Sequence, residues 1–404
     1  MISLFLLGLL LLTFFWDLYY ATHWSKNLTV TLNFLQDFVY AGEQAQLTEQ
    51  LDNRKKLMLP VLEVAFHMDR ALSFFDCENT SVSDYTYKRD IFALLGKQRI
   101  TRKLSLHCTK RGYYQIDESY LTAFSMLHRK RFSIECPADT ALYVYAARTN
   151  VSDILVSCER LMGNIQCAKR LFEDPFAFSS IREYTVTDPM NTINWKASAR
   201  TGELMVNTFE STLTEKVMIY LDVEDSGILK YEYLIEDSVS VAATLTQKLI
   251  ARGMEVGICV NADTNSDKNT PHPAPSATVP NRMSSEVIYI EPAGGKKQLS
   301  VIEQILAKCR SDERIVPFPS LLQTQPTTPI QYRHTSQKLS SFGQAEDAVM
   351  IFISKNATQN QDAIEKFADR EHPAIWVVPY SRNDTCDITT SNNVCLIKRE
   401  VSAI

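Results

Sequence analysis

Charge is missing from the start of this chain: Ile2 to Trp16 (ISLFLLGLLLLTFFW) holds no ionisable side chain, and Asp17 is the first. No basic leader precedes the apolar run and no small-residue cleavage site follows it in WDLYYATHW, which argues against a removed signal peptide. Paired cysteines are missing too. The nine cysteines are odd in number and form no CxxC, so they suit neither a disulfide framework nor a zinc site. None of the seven histidines stands at ligand spacing from another, and there is no HExxH, GxSxG, GxGxxG or GxxxxGK[ST]. Gly294-Gly295-Lys296-Lys297 lacks the upstream glycine and the hydroxyl residue of a phosphate loop. Metal-assisted hydrolysis and nucleotide binding therefore have no visible nucleus.

What is present is a chain of 404 residues, 45% hydrophobic and 22% charged, with a formal net charge of -5. That length suggests two to three domains, and the charge balance excludes wholesale disorder and disfavours nucleic acid as a partner. Ile2 to Tyr20 would span roughly 28 Å as a helix, close to the hydrocarbon thickness of a bilayer. Phe14, Phe15, Trp16, Tyr19, Tyr20 and Trp24 crowd one end, as rings at a membrane interface do. The expectation is a transmembrane anchor over residues 1–24 that contacts membrane lipid, with a signal peptide and a buried core helix as the alternatives. Lys26, Arg54, Lys55 and Lys56 follow the span and nothing basic precedes it, which places the N-terminus outside and the bulk of the chain in the cytoplasm.

Residues 28–148 read as strands. LTVTLNF alternates Leu28, Val30, Leu32 and Phe34 against Thr29, Thr31 and Asn33, and AQLTEQL, LMLPVLEVAFHM, RKLSLHC, GYYQI and LYVYAA follow at spacings suited to an antiparallel β-sandwich. Residues 149–214 form a junction, and from 215 to 404 strands alternate with helices. KVMIYLDV is a continuous apolar run ending in an acid, as a buried parallel strand would be, and Tyr231 to Gly253 carries apolar residues at helical spacing. EVGICVN, VIYIEP, QLSVIEQILAKC, AVMIFISK, QDAIEKFADR, AIWVVP and VCLIKREV continue the alternation, which implies an open, mostly parallel α/β sheet. Two loop insertions, 262–285 and 311–345, interrupt it; the second is polar apart from VPFPSLL.

The densest constellation is SSIREYTVTDPMNTINWKASARTGELMVNTFE. Asp188-Pro189 reads as a helix start and Gly202 as its stop. A helix would set Asn191, Trp195 and Ser198 on one side, with Lys196 and Arg200 four apart; a strand would set Trp195 opposite Lys196 and Arg200, and the helix is favoured.

This stretch closely resembles the signature of the domain of unknown function 58 family, membrane-anchored proteins with a von Willebrand factor A-like domain. Arg182, Tyr184, Asp188, Ile193, Trp195, Ala199, Arg200 and Leu204 match; Thr187 and Asn191 replace the usual glycine and arginine. TKRGYYQI, residues 109–116, resembles a strand of the family's sandwich region. The resemblance implies a von Willebrand factor A-like, Rossmann-like α/β domain after the sandwich. It also implies a non-enzymatic adaptor or assembly role with a MoxR-type AAA+ ATPase as partner, in which Arg182, Tyr184, Asp188, Trp195, Lys196 and Arg200 either buttress the domains or contact that partner. Such folds often hold Mg2+ in an Asp-x-Ser-x-Ser turn. Here the turn is Asp222-Val223-Glu224-Asp225-Ser226, with Glu224 at the first serine position and Lys355 where a further aspartate is expected, so the expectation is no cofactor, with Asp222 and Ser226 as weak candidates for Mg2+. The alternatives are a divalent-cation-dependent ligand binder and an envelope hydrolase, for which Ser198 is the nearest nucleophile.

Overall fold

The computed structural model describes residues 2–76, 78–125, 130–169, 178–186, 188, 190–209, 216–225, 230–262, 288–309, 316–323, 348–368, 374–382, 388–390 and 393–402. Its contacts divide the chain into one unit of Met1–Arg148 with Glu303–Cys309, and a second of Thr149–Ile302 with Arg310–Ile404.

In the first unit, helix α1 (Ile2–His23) precedes ten strands: β1 (Leu28–Phe34), β2 (Phe38–Tyr40), β3 (Gln44–Asn53), β4 (Leu59–Asp69), β5 (Leu72–Phe74), β6 (Thr80–Val82), β7 (Tyr85–Leu94), β8 (Arg99–Cys108), β9 (Gly112–Phe124) and β10 (Arg131–Tyr145). They form a four-stranded sheet, β1-β3-β8-β5, and a six-stranded sheet, β2-β10-β9-β4-β7-β6. Pairing is antiparallel except between β10 and β2, which run parallel. Alternation drives the packing: β1 buries every second residue, and Leu32, Leu47 and Leu106 of the smaller sheet share one core with Phe66, Met68 and Leu142 of the larger.

The expected transmembrane anchor is overturned. Among the described residues no helix is long and apolar enough to cross a membrane. The end of α1 has another use, because Asp17 is buried and accepts a hydrogen bond from Ser125 Oγ. Tyr20 and Trp24 are buried against Leu28, Leu51, Leu62 and Leu121, with their rings 6.2 and 6.4 Å from that of Phe132. The aromatic crowding that reads as an interface belt is in part a hydrophobic contact with the sandwich. The chain is β-rich, with several sheets.

The second unit holds α2 (Ser152–Lys169), β11 (Phe178–Glu183), a 3-10 turn (Met190–Thr192), α3 (Trp195–Thr201), β12 (Met205–Phe209), β13 (Lys216–Leu221), α4 (Glu232–Ala251), β14 (Glu255–Val260), β15 (Ile288–Ala293), α6 (Phe318–Gln323), β16 (Ala348–Ile353), α7 (Ala357–Ala368), β17 (Ala374–Ser381) and β18 (Val394–Val401); α5 (Lys296–Lys308) follows β15 in sequence. β11 and β12 pair as a separate antiparallel ribbon. The remaining strands form a sheet of order β15-β14-β13-β16-β17-β18, parallel throughout except for β15, which is antiparallel to β14. β16 is buried at every residue and β13 at four of its six, as strands covered on both faces are. Gly257 is required where β15 approaches: a Cβ there would lie 2.7 Å from the Ile290 carbonyl oxygen. Of the expected insertions, 262–285 falls almost wholly outside the described residues. The second lies outside them except for its apolar piece, which forms α6 and buries Phe318 against Phe352 and Trp376.

Candidate functional site

Three neighbouring parallel strands end together at the carboxyl edge of the second unit's sheet, and each hands its chain to a polar residue. Asp222 follows β13, Asn261 follows β14 and Ser354 follows β16. In doubly wound sheets this edge is where ligands and partners meet the fold.

Asp222 is 1% exposed, and its carboxylate is the centre of the cluster. Oδ1 accepts from Asn261 Nδ2 at 2.7 Å and from the Glu224 amide at 3.0 Å. Oδ2 accepts from Ser354 Oγ at 2.6 Å and from Asn356 Nδ2 and Asn360 Nδ2, both at 3.1 Å. The donors are fixed from behind. Asn261 Oδ1 accepts the Val223 amide at 2.9 Å, which turns its Nδ2 toward Asp222, and Asn356 Nδ2 also donates to the Glu224 carbonyl at 2.8 Å. Five donors on one buried carboxylate satisfy the charge without a cation, because each hydrogen bond to an ion is stronger than a neutral one.

Beside this cluster the Lys355 ammonium is ion-paired with Asp225, both side chains only 7% exposed. Glu224 is half-buried, and burial together with the Asp222 charge pushes its carboxyl above the usual range, opposed by a backbone N–H from Phe318 and by Lys355. Mg2+ needs oxygen lone pairs aimed into the site. Here N–H and O–H groups converge on Asp222, and the nearby ammonium repels a cation, so the described residues do not fit a metal. Ser226 lies outside the described residues.

The signature residues sit on the ribbon. Arg182 on β11 grips Asp188 with two parallel bonds, Nη1 to Oδ2 at 2.7 Å and Nη2 to Oδ1 at 2.6 Å. Thr185 donates its amide and its hydroxyl to the same Oδ2, each at 2.8 Å. Arg182 and then Thr185 hold the Asp188 carboxyl well below the ordinary carboxylate range. Asp188 therefore closes a turn and does not start the helix, which corrects the sequence reading. The cap is Asn194, whose Oδ1 accepts the Ala197 amide at 3.0 Å while its Nδ2 donates to Asn207 Oδ1 at 2.7 Å. Gly202, at φ 80°, ends the helix in the left-handed region.

Tyr184 is half-buried, with its amide donating to the Leu204 carbonyl at 2.8 Å. Trp195, Lys196, Ala199 and Arg200 form the exposed face of α3, and Val186 and Met190 are exposed as well. The structure thus joins Arg182 to Asp188 but leaves Trp195, Lys196 and Arg200 toward solvent. Because Trp195 is 69% exposed, Trp195→Ala is expected to change stability by no more than about 0.5 kcal/mol, checked by thermal unfolding of the full chain.

Ser198 is a structural buckle. Its hydroxyl donates to the Asn194 carbonyl and accepts the Met205 amide, both at 2.8 Å. A nucleophile needs a base on that proton, and the proton is committed to a carbonyl.

The residues that sequence reading missed are Asn261, Ser354, Asn356 and Asn360. Asn261, Ser354 and Asn356 had a signal, polar residues closing an apolar run in GICVN and in MIFISKN, whereas Asn360, inside α7, had none.

A family model described as "Protein of unknown function DUF58" matches residues 180–324, which supports that family for this part of the chain. No curated protein matches. Solved structures that resemble the chain include a non-cellulosomal cohesin from Archaeoglobus fulgidus, 9% identical, covering 32% of this chain and 97% of that one, with a TM-score of 0.22. A type I cohesin from Pseudobacteroides cellulosolvens is 11% identical over 30% of this chain and 96% of its own, with a TM-score of 0.19. The CARDB domain of a Pyrococcus furiosus protein is 12% identical over 29% and 96%, with a TM-score of 0.18.

Proposed function

We propose that this chain is a non-enzymatic adaptor that docks a protein partner on the carboxyl edge of its six-stranded parallel-rich sheet, and that the partner is a AAA+ ATPase of the MoxR type implied by the family resemblance. The observation that carries this reading is the five-donor shell around Asp222. It ties the segments after β13, β14 and β16 into one platform, and a pre-ordered surface lowers the entropic cost of association. The same shell occupies the oxygens that a metal or a general base would use, which weighs against the cation-dependent binder. The engaged hydroxyl of Ser198 weighs against the hydrolase.

The test is site-specific photocrosslinking in cells from Lys230, exposed in the connection between β13 and α4, with Tyr85 on the sandwich as the control position. An AAA+ ATPase captured from position 230 and not from position 85 is the expected result. Failure to recover any ATPase, with the chain intact and abundant, counts decisively against the adaptor reading.

A further inference from the structure

Inside the sandwich lies a group of charges that has no part in the docking edge. Glu49 on β3 occupies an inward position in the register Ala45, Leu47, Glu49, Leu51 and is 0% exposed. Neither of its carboxyl oxygens has a hydrogen-bond partner among the described residues. The charged groups that bear on it are Asp90 and Lys88 of β7 and Arg102 of β8, and β1 places Leu32 opposite it.

Those charges already answer one another. Lys88 Nζ donates to the Glu78 carbonyl, lies 3.8 Å from Asp90 Oδ1 and stands 5.2 Å from the centre of the Phe74 ring. Asn79 Nδ2 donates to Asp90 Oδ1 at 3.3 Å. Arg102 Nη1 lies 3.0 Å from Asp90 Oδ2, near enough for an ion pair but not aligned as a hydrogen bond. Arg102 is also the direct cross-strand partner of Glu49. Residues so paired put their Cβ atoms about 5 Å apart on one face of a sheet.

An ionised carboxylate buried without a donor is far more costly than the neutral acid. We infer that Glu49 is a buried proton-binding site, held as the neutral acid between the two sheets, and that its ionisation draws the Arg102 guanidinium from Asp90 to Glu49. One flexible cation serves two carboxylates, and the proton decides which. Burial foremost, and then the Asp90 charge, raises the Glu49 carboxyl to about 7, with Arg102 and Lys88 opposing.

The sign follows from linkage. The folded chain binds this proton more tightly than the unfolded chain, so its contribution to stability is complete below the unfolded value and falls as pH rises through the folded one. From about pH 4.5 to about pH 7 the folding equilibrium loses about two orders of magnitude from this group.

The test labels glutamate Cδ and arginine Nη with 13C and 15N in the full chain and assigns Glu49 by its loss in Glu49→Gln. The expected result is a Glu49 titration near neutrality, with the Arg102 signals moving at the same midpoint. Hydrogen exchange on β3 and β8 should quicken between pH 5 and pH 7.5 in the wild-type chain and stay flat, after correction for intrinsic exchange, in Glu49→Gln. Should Glu49→Gln fail to fold, Glu49→Leu provides the comparison. A Glu49 that titrates with exposed glutamates, an Arg102 that does not move with it, or equal pH dependence in the wild-type chain and the variant overturns the inference.

Discussion

Asp222→Ala is expected to destabilise the second unit by about 3–5 kcal/mol, because it leaves a shell of buried donors facing an empty centre. The loss is smaller than five separate penalties. Asn360 still reaches Ser354 Oγ at 2.8 Å, and Asn356 still reaches the Glu224 carbonyl at 2.8 Å, so part of the shell closes on itself. Asp222→Asn keeps the shape but turns an amide donor against other donors, and it should lie between Ala and the wild-type chain. Because the chain has two units, one melting temperature would mix them. Hydrogen exchange on peptides from β13, β14 and β16 isolates the affected edge. Exchange there should accelerate by about two to four orders of magnitude in Asp222→Ala, while β4 and β9 of the sandwich keep their protection.

Lys355→Met is the second large effect, about 3–5 kcal/mol, because it strands a buried Asp225 carboxylate without its cation. Replacing both partners, as in Lys355→Met with Asp225→Asn, should recover most of that loss. A buried pair is expensive to break, but it is often nearly neutral to remove whole. Urea unfolding followed by the fluorescence of Trp376, fully buried in β17, separates the two cases when read as a difference between variants that share the other tryptophans. If the double variant is as unstable as Lys355→Met alone, Asp225 is not what Lys355 serves. Glu224 gives an independent readout, since removing Lys355 takes away one of the influences that lower its carboxyl.

Much of this was legible because local pattern and long-range burial coincide. LTVTLNF alternates and forms β1, AVMIFI is apolar throughout and forms the fully buried β16, and Gly253 ends the chain turn after α4 at φ 87°. The start of the chain misled for the opposite reason. Its apolarity is a local fact, whereas the burial of Asp17 depends on Ser125, 108 residues away. No window of sequence holds both. Asp222 stood out as an acid closing an apolar run, but Asn360, which shares its charge, is 138 residues distant on α7. The signature's helix and its Gly202 stop were legible, but its start was misplaced because the turn residues Asp188-Pro189 were taken for the cap. The two-pronged grip of Arg182 on Asp188 across six residues shows that the acid had a different partner. Glu49 and Asp90 both stand at inward positions of alternating strands, yet nothing local says that Arg102 lies across from Glu49.

The central claim is that the carboxyl edge of the sheet is closed by its own donors and works without a metal. Isothermal titration of the full chain with Mg2+ after removal of divalent cations tests it most directly, with Asp222→Ala in parallel. The prediction is no saturable heat at millimolar concentrations and unchanged hydrogen exchange at β13 and β16. Saturable Mg2+ binding that disappears in Asp222→Ala would contradict it.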